Sequence, residues 1–234
     1  LHLKDRFPKA KIVILEKGEL PQGASTKNAG FACFGSLSEL IDDLTSHTEE
    51  EVFQLVKKRW DGLQLLRQTL GDHTIDFQQL KGYELCETAS FFEEYMQHKA
   101  KMNDLLRPIF NADVFSETAT IFGFKRVHPQ YITNNFEGQI DTGKMAAALL
   151  QKVLKKGIKI INGIDVHHFE QENNKVNLKT NRSDFYTNHL FVASNGFSSK
   201  ILTEDVQPAR AQVLITSPIK NFKMHHITSI KELK

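Results

Sequence analysis

Lys11-Ile12-Val13-Ile14-Leu15-Glu16-Lys17-Gly18 is the stretch from which the rest of the chain is read. An apolar run rich in β-branched residues ends on an acid, and Gly18 and Pro21 bound it. A short continuous run of this kind reads as a buried strand of a parallel sheet. An acid at the carboxyl end of such a strand is where dinucleotide-binding domains accept hydrogen bonds from ribose hydroxyls. Taken alone, Glu16 reads equally well as a solvated charge at a strand end. The glycine-rich phosphate turn should precede that acid by roughly 20 residues. Counting back from Glu16 runs past Leu1. Leu1-His2-Leu3-Lys4-Asp5-Arg6-Phe7-Pro8 reads as a helix tail closed by a proline. The expectation is that the first strand, the glycine turn and most of the first helix of such a domain lie before Leu1.

Downstream of the strand comes a small-residue loop, Gly23-Ala24-Ser25-Thr26-Lys27-Asn28-Ala29-Gly30. Small side chains let backbone N–H groups approach an anion, and Lys27 adds positive charge. Such loops are also common connectors. Ser36-Leu37-Ser38-Glu39 and Thr48-Glu49-Glu50-Glu51 have capping-box form, and the second opens a long amphipathic helix to about Leu70, stopped by Gly71. Residues 74–88 turn strand-like. Ser90-Phe91-Phe92-Glu93 is a third capping-box match, opening a helix expected to end near Arg107, before Pro108. Asp141 reads as the N-cap of a helix closed by Gly157. A strand at 158–161 follows, then a hairpin around Asn173-Asn174, a buried strand His189–Ala193 and a strand Gln212–Thr216. Strand, helix, mixed stretch, helix, strand, hairpin, strand is the order of a doubly wound α/β domain interrupted by a second module.

Composition narrows the function classes. The 234 residues carry 30 Lys+Arg against 28 Asp+Glu, a net charge of +2. That balance argues against a dedicated nucleic-acid binder. No apolar run approaches the roughly 18 residues that span a bilayer, and no secretory signal is legible. Cys33 and Cys86 are too few for a disulfide framework or a zinc site, so a cytoplasmic, reducing setting is expected. His167-His168 and His225-His226 are neighbours that point to opposite strand faces, so no metal site is expected. His128 and Tyr131 are candidates for meeting a ligand, with roleless loop residues as the plainer reading. Cys33 reads as a buried structural thiol. There is no nucleophile elbow and no Ser-His-Asp order.

In combination the motifs are more specific. Leu15-Glu16-Lys17-Gly18, Gly23-Ala24-Ser25 and Asn28-Ala29-Gly30-Phe31 closely resemble the start of the D-amino-acid-oxidase-like family of FAD-dependent oxidoreductases. Gly138-Gln139-Ile140-Asp141, the Val166 strand, Phe191 to Gly196 and the stretch from Pro208 to Thr216 fall in that family's order. The resemblance implies an FAD-binding, Rossmann-like doubly wound domain interrupted by an α+β substrate domain. It assigns 1–72 and 141–206 to the FAD domain, 73–140 and 207–234 to the substrate domain. It implies that Glu16 binds the adenosine ribose beside Lys17. Ala24, Ser25, Thr26 and Lys27 would lie along the pyrophosphate, and Asn28, Ala29, Gly30 and Phe31 beneath the flavin. The backbone of Val166 would hold the adenine edge, and Ala193 and Gly196 would line the remaining wall.

The implied activity is oxidation of a small-molecule amine or amino acid by hydride transfer to the flavin. The alternatives are a hydroxy acid or a tRNA-borne amine as substrate, or a non-catalytic remnant. No catalytic side chain is assigned, and the oligomeric state is open. Thr142 stands where relatives usually carry proline, Ala211-Gln212 replaces Gly-Gln, and Ser194 sits in a usually smaller slot. The chain is expected to be truncated at both ends, and these residues alone are expected not to hold FAD tightly.

Overall fold

A computed structural model of the chain describes residues 1–21, 23–119, 122–202, 220 and 229–231. In chain order the elements are α1 (His2–Arg6), β1 (Val13–Glu16), β2 (Phe31–Ala32), α2 (Leu37–Asp43), α3 (Glu49–Leu70), α4 (Asp72–Ile75), β3 (Gly82–Cys86), α5 (Ala89–Met96), α6 (Lys99–Phe110), β4 (Phe115–Ala119) and β5 (Gln130–Asn134). Then come β6 (Gly138–Gln139), α7 (Thr142–Lys155), β7 (Lys159–Asn162), β8 (Val166–Glu172), β9 (Lys175–Thr180), β10 (Phe185–Thr187), a 3-10 turn Asn195–Lys200 and β11 (Ser229–Lys231). The fold is mixed α/β. Packing divides the chain into two compact units, Leu1–Lys27 with Leu149–Thr216, and Asn28–Ala148 with Ser217–Lys234.

The first unit is built on two small sheets. β1 and β7 pair in parallel, with Val13 opposite Lys159 and Glu16 opposite Asn162. The parallel strand expected at β1 is therefore present, but its expected burial is not: Val13 is 48% exposed and Ile14 41%. The sheet has two strands among the described residues, too few to cover both of its faces. β8, β9 and β10 form an antiparallel sheet. Its first hairpin turns on Asn173 and Asn174 at φ of 46° and 62°, the left-handed pair that a type I′ turn requires. α1 is held by an ion pair between Asp5 and Lys156. The strand expected over His189–Ala193 does not form. Among the described residues no neighbouring strand pairs with it, and Phe191 lies 70% exposed on irregular backbone. A run of apolar residues without a ladder partner has no sheet to join. The expected strand Gln212–Thr216 lies outside the described residues.

The second unit carries the main core. Its four-stranded sheet has the order β11-β3-β5-β4, with β3 antiparallel to β5 and parallel to β11. Phe34, Leu37, Val52, Val56, Leu106 and Phe115 are almost wholly buried in one cluster. Phe34 meets Trp60 edge-on at 6.0 Å and Phe110 at 4.8 Å between ring centroids. The first two expected capping boxes are formed: Ser36 and Thr48 each accept the N–H of the residue three further on, and Glu39 and Glu51 return a bond to the cap.

The third box is displaced. Thr88, not Ser90, caps α5 by accepting the Phe91 N–H at 3.4 Å. The single helix expected to follow breaks into α5 and α6. α6 also runs past Pro108 to Phe110, because a proline in the last turn forfeits only one bond before Asn111 ends the helix in the left-handed region at φ 53°. The first part of the strand-like stretch 74–88 is likewise α4, and only its end is β3. A second asparagine matters more to the sheet. Asn103, 5% exposed, accepts the Phe115 N–H at 2.8 Å and donates to the Phe115 carbonyl at 2.9 Å. Its amide thereby acts as a ladder partner for the first residue of β4.

Candidate functional site

In the first unit β1 ends on Glu16, which is half-buried. Its Oε1 accepts the Gly18 N–H at 2.9 Å. Among the described residues no hydrogen bond or ion pair reaches Oε2. Gly18 is demanded by the same turn, because a Cβ there would lie 2.5 Å from the Leu20 carbonyl oxygen. The end of β1 is tied to the segment after β7. Ile164 N–H donates to the Glu16 carbonyl at 3.0 Å and Gly163 N–H to the Gly18 carbonyl at 3.0 Å. Lys17 pairs with Asp165 at 2.7 Å, so its charge is largely spoken for. Val166 opens β8 directly after this segment, half-buried. Glu16, Lys17 and Val166, far apart in sequence, are thus brought together.

The loop is less open than its composition suggests. Ala24, Ser25 and Lys27 are exposed and Thr26 is half-buried. Thr26 N–H donates to Gly23 at 3.1 Å and Lys27 N–H to Ala24 at 3.2 Å, so both amides are used within the turn. The Thr26 hydroxyl donates toward the Pro21 and Gly23 carbonyls at 3.1 and 3.0 Å. In the second unit Asn28 Oδ1 accepts the Gly30 N–H at 2.9 Å, and Ala29 is exposed. Gly30 is buried at φ 80°, with its absent Cβ 2.4 Å from the Ile140 carbonyl oxygen. Only glycine fits there. Phe31 and Ala32 pair antiparallel with Gln139 and Gly138. The Asn28–Phe31 segment is therefore fixed by the Gly138-Gln139-Ile140 strand that the sequence motif marks. Asp141 then caps α7, its Oδ1 accepting the Lys144 N–H at 2.9 Å.

Ala193 is exposed, and Gly196 is half-buried inside the 3-10 turn. Between them the Ser194 hydroxyl is buried and has no hydrogen-bond partner among the described residues.

Several side chains singled out by sequence sit differently from expectation. Cys33 is exposed, not buried, while Cys86 is buried. Protein packed about the Cys33 thiol, then the carboxylates of Glu137 and Glu39, push its pKa up to about 12, so an exposed thiol is kept protonated. Tyr131 is fully buried, and His128 stacks on Phe92 at 4.4 Å. His167 and His168 are exposed, and His225 and His226 lie outside the described residues. The sequence reading missed Glu84 and Glu137, 2% and 0% exposed, which line a cavity of about 10 Å³ with Ser36 and Asn134. Glu84 accepts the Ser38 N–H at 3.4 Å. Their scattered positions leave no local signal by which to find them.

The residues present fit an adenosine-bearing cofactor in three respects. Among the described residues Glu16 keeps one carboxylate oxygen open, the backbone before Val166 is locked beside it, and Ser194 presents a hydroxyl without a partner. Among the described residues no helix is long and apolar enough to cross a membrane.

The DAO family profile, described as FAD dependent oxidoreductase, matches residues 1–231. Solved structures share the fold at low identity. Glycine oxidase from Geobacillus kaustophilus is 16% identical with a TM-score of 0.54, over 82% of this chain and 51% of that one. Iminodiacetate oxidase from Chelativorans sp. is 13% identical with a TM-score of 0.61, over 86% and 53%. L-amino acid deaminase from Proteus vulgaris is 16% identical with a TM-score of 0.59, over 84% and 49%. The chain thus spans about half the length of these solved relatives. No curated protein sequence matches.

Proposed function

The chain belongs to the DAO family of FAD-dependent oxidoreductases, and from that membership we propose that it carries the adenosine-binding and flavin-side segments of an enzyme oxidising an amine or amino acid. The substrate class is supported by the solved relatives, whose names are those of amino acid and amine oxidases or deaminases. The chemistry FAD would supply when bound is a two-electron oxidation: a hydride would pass from the amine-bearing carbon to the flavin as the nitrogen loses a proton, giving an imine that water hydrolyses.

The chain's own residues bind and orient. Glu16 accepts ribose hydroxyls through its open oxygen. The Val166 backbone meets the adenine edge. Ser25, Thr26 and Lys27 lie along the pyrophosphate with Ala24, and Lys17 buttresses Glu16 through Asp165. Asn28, Ala29, Gly30 and Phe31 run under the flavin on backbone fixed by β6. Ala193 and Gly196 form the remaining wall, with Ser194 adding a hydrogen bond. By function, 1–72 and 141–206 belong to the Rossmann-like FAD domain, 73–140 and 207–234 to the α+β substrate domain. The packing division falls elsewhere, at 27/28, 148/149 and 216/217, so 28–72 and 141–148 pack with one domain while serving the other. A cytoplasmic setting accords with two free thiols.

One observation carries the reading: an acid at the carboxyl end of a parallel strand with one oxygen open. The test is the visible spectrum of the complete gene product, and reconstitution of the apoprotein with FAD. A flavin spectrum that is weakened by Glu16→Ala supports the proposal. Loss of a charge-assisted bond predicts about tenfold weaker FAD binding or more. A colourless protein that cannot be reconstituted overturns it.

A further inference from the structure

We propose that Asn181 is a positioning residue for the adenosine half of the cofactor, acting as a clamp on the segment between Glu16 and Val166. The inference rests on the assignment of those two residues to adenosine. The β8–β9 ladder runs from Glu172 opposite Lys175 down to Val166 opposite Thr180, with an irregularity between Val166 and His168. Asn181 is the next residue of the incoming chain, and it takes over where the strands end. Its Oδ1 accepts the Asp165 N–H at 2.9 Å and its Nδ2 donates to the Gly163 carbonyl at 3.2 Å. Its backbone N–H donates to the Asp165 carbonyl at 3.1 Å.

Three bonds from one residue therefore hold 163–165. The same segment donates two bonds to the end of β1, through Gly163 to Gly18 and Ile164 to Glu16. Asp165 adds the ion pair to Lys17 at 2.7 Å. The segment between β7 and β8 is thus gripped from both sides, by Asn181 on one and by the Glu16 turn on the other. The side of Asn181 is itself stiffened. The Thr180 hydroxyl accepts the Arg182 and Ser183 N–H groups at 3.2 Å each and donates to the Ser183 carbonyl at 2.6 Å.

Among the described residues the Asn181 side chain bonds only to this segment. An asparagine amide is suited to the task because it supplies one donor and one acceptor in a fixed plane. What the clamp fixes is the offset between the acid and the backbone entering Val166. A ligand that spans both is sensitive to that offset, and a ligand that reaches neither is not. This gives Asn181 a signature that general destabilisation lacks: it should distinguish FAD from FMN, which has no adenosine.

The test uses the full gene product stripped of flavin, with FAD and FMN affinities read from quenching of flavin fluorescence. Asn181→Ala is expected to raise the Kd for FAD about three- to fivefold, because water only partly replaces the two lost hydrogen bonds, and to leave that for FMN unchanged. Hydrogen exchange should accelerate at the Asp165 amide and stay constant at Ile132 in the other unit. Asn181→Asp keeps the acceptor for Asp165 but turns a carboxylate oxygen toward the Gly163 carbonyl in place of the donor, so its FAD affinity should fall as well, with that for FMN again unchanged. It also serves if Asn181→Ala fails to fold. Unchanged FAD affinity in both variants, or an equal loss for FAD and FMN, overturns the inference while FAD binding by the wild type stands. A wild-type protein that binds no FAD overturns the functional reading, and the clamp's role falls with it.

Discussion

Asn103 and Asn181 make the same pair of bonds in the two units, each accepting a backbone N–H and donating to a backbone carbonyl. Their surroundings are opposite. Asn103 is 5% exposed beneath the aromatic cluster of the second unit. Asn181 is exposed on a hairpin of the first. The contrast extends to the whole units. In the second, helices α2, α3, α5 and α6 close over a sheet and leave a continuous apolar core. In the first, Ile158, Ile164 and Leu178 are the buried hydrophobics among the described residues. One unit owes its geometry to close packing. The other owes it to backbone pairing and polar clamps that compete with water.

That comparison is most sharply broken at Phe34. Phe34→Ala removes a ring packed between Trp60 and Phe110 and should cost about 3–5 kcal/mol, read as a shift of the denaturant midpoint. A cost near 1 kcal/mol would mean that the second unit is not held by its core. Asn103→Ala comes next. It leaves the Phe115 N–H and carbonyl buried and unpaired, at about 2 kcal/mol. Asn181→Ala, the exposed counterpart, should cost under about 1 kcal/mol of stability, because water replaces both bonds. Equal losses for the two asparagines in matched denaturation curves would erase the distinction between the units.

The smallest effect is a pH dependence in the second unit. Arg67 meets Asp72 with two bonds, Nε to Oδ1 at 2.9 Å and a terminal nitrogen to Oδ2 at 2.8 Å. The guanidinium holds the Asp72 carboxyl below its ordinary value of 3.8. A lowered folded pKa contributes stability that is complete above the ordinary value and is lost as pH falls through the folded one. The advantage of wild type over Asp72→Asn should therefore be level at neutral pH and vanish in stronger acid. The pair is solvated, so the difference is small. An advantage that grows with acid would refute the assignment.

Local punctuation in this sequence translated directly into structure. Ser36, Thr48 and Asp141 cap helices, Gly71 and Gly157 stop them, and Asn173-Asn174 turns a hairpin. Each depends on a bond within a few residues or on one dihedral angle. The acid ending β1 was legible for the same reason, as a residue at a strand end. Burial was not. Val13 and Ile14 have the composition of a covered strand, yet their exposure depends on how many strands stand beside them. The apolar run 189–193 shows the same limit, since no composition supplies a ladder partner. Thr88 displaced Ser90 as a cap because two neighbouring hydroxyls offered the same signal.

What the sequence determined by itself, then, was the caps and stops of α2, α3 and α7, the Asn173-Asn174 turn and the acid that ends β1. All of these are set by short-range backbone chemistry. The tertiary structure alone decided which apolar residues are covered, that the Thr26 and Lys27 amides are spent within their own turn, and that Asn181 reaches back to Gly163 and Asp165. Those outcomes join residues distant along the chain, where the choice of partner is made by packing and by the pairing of strands.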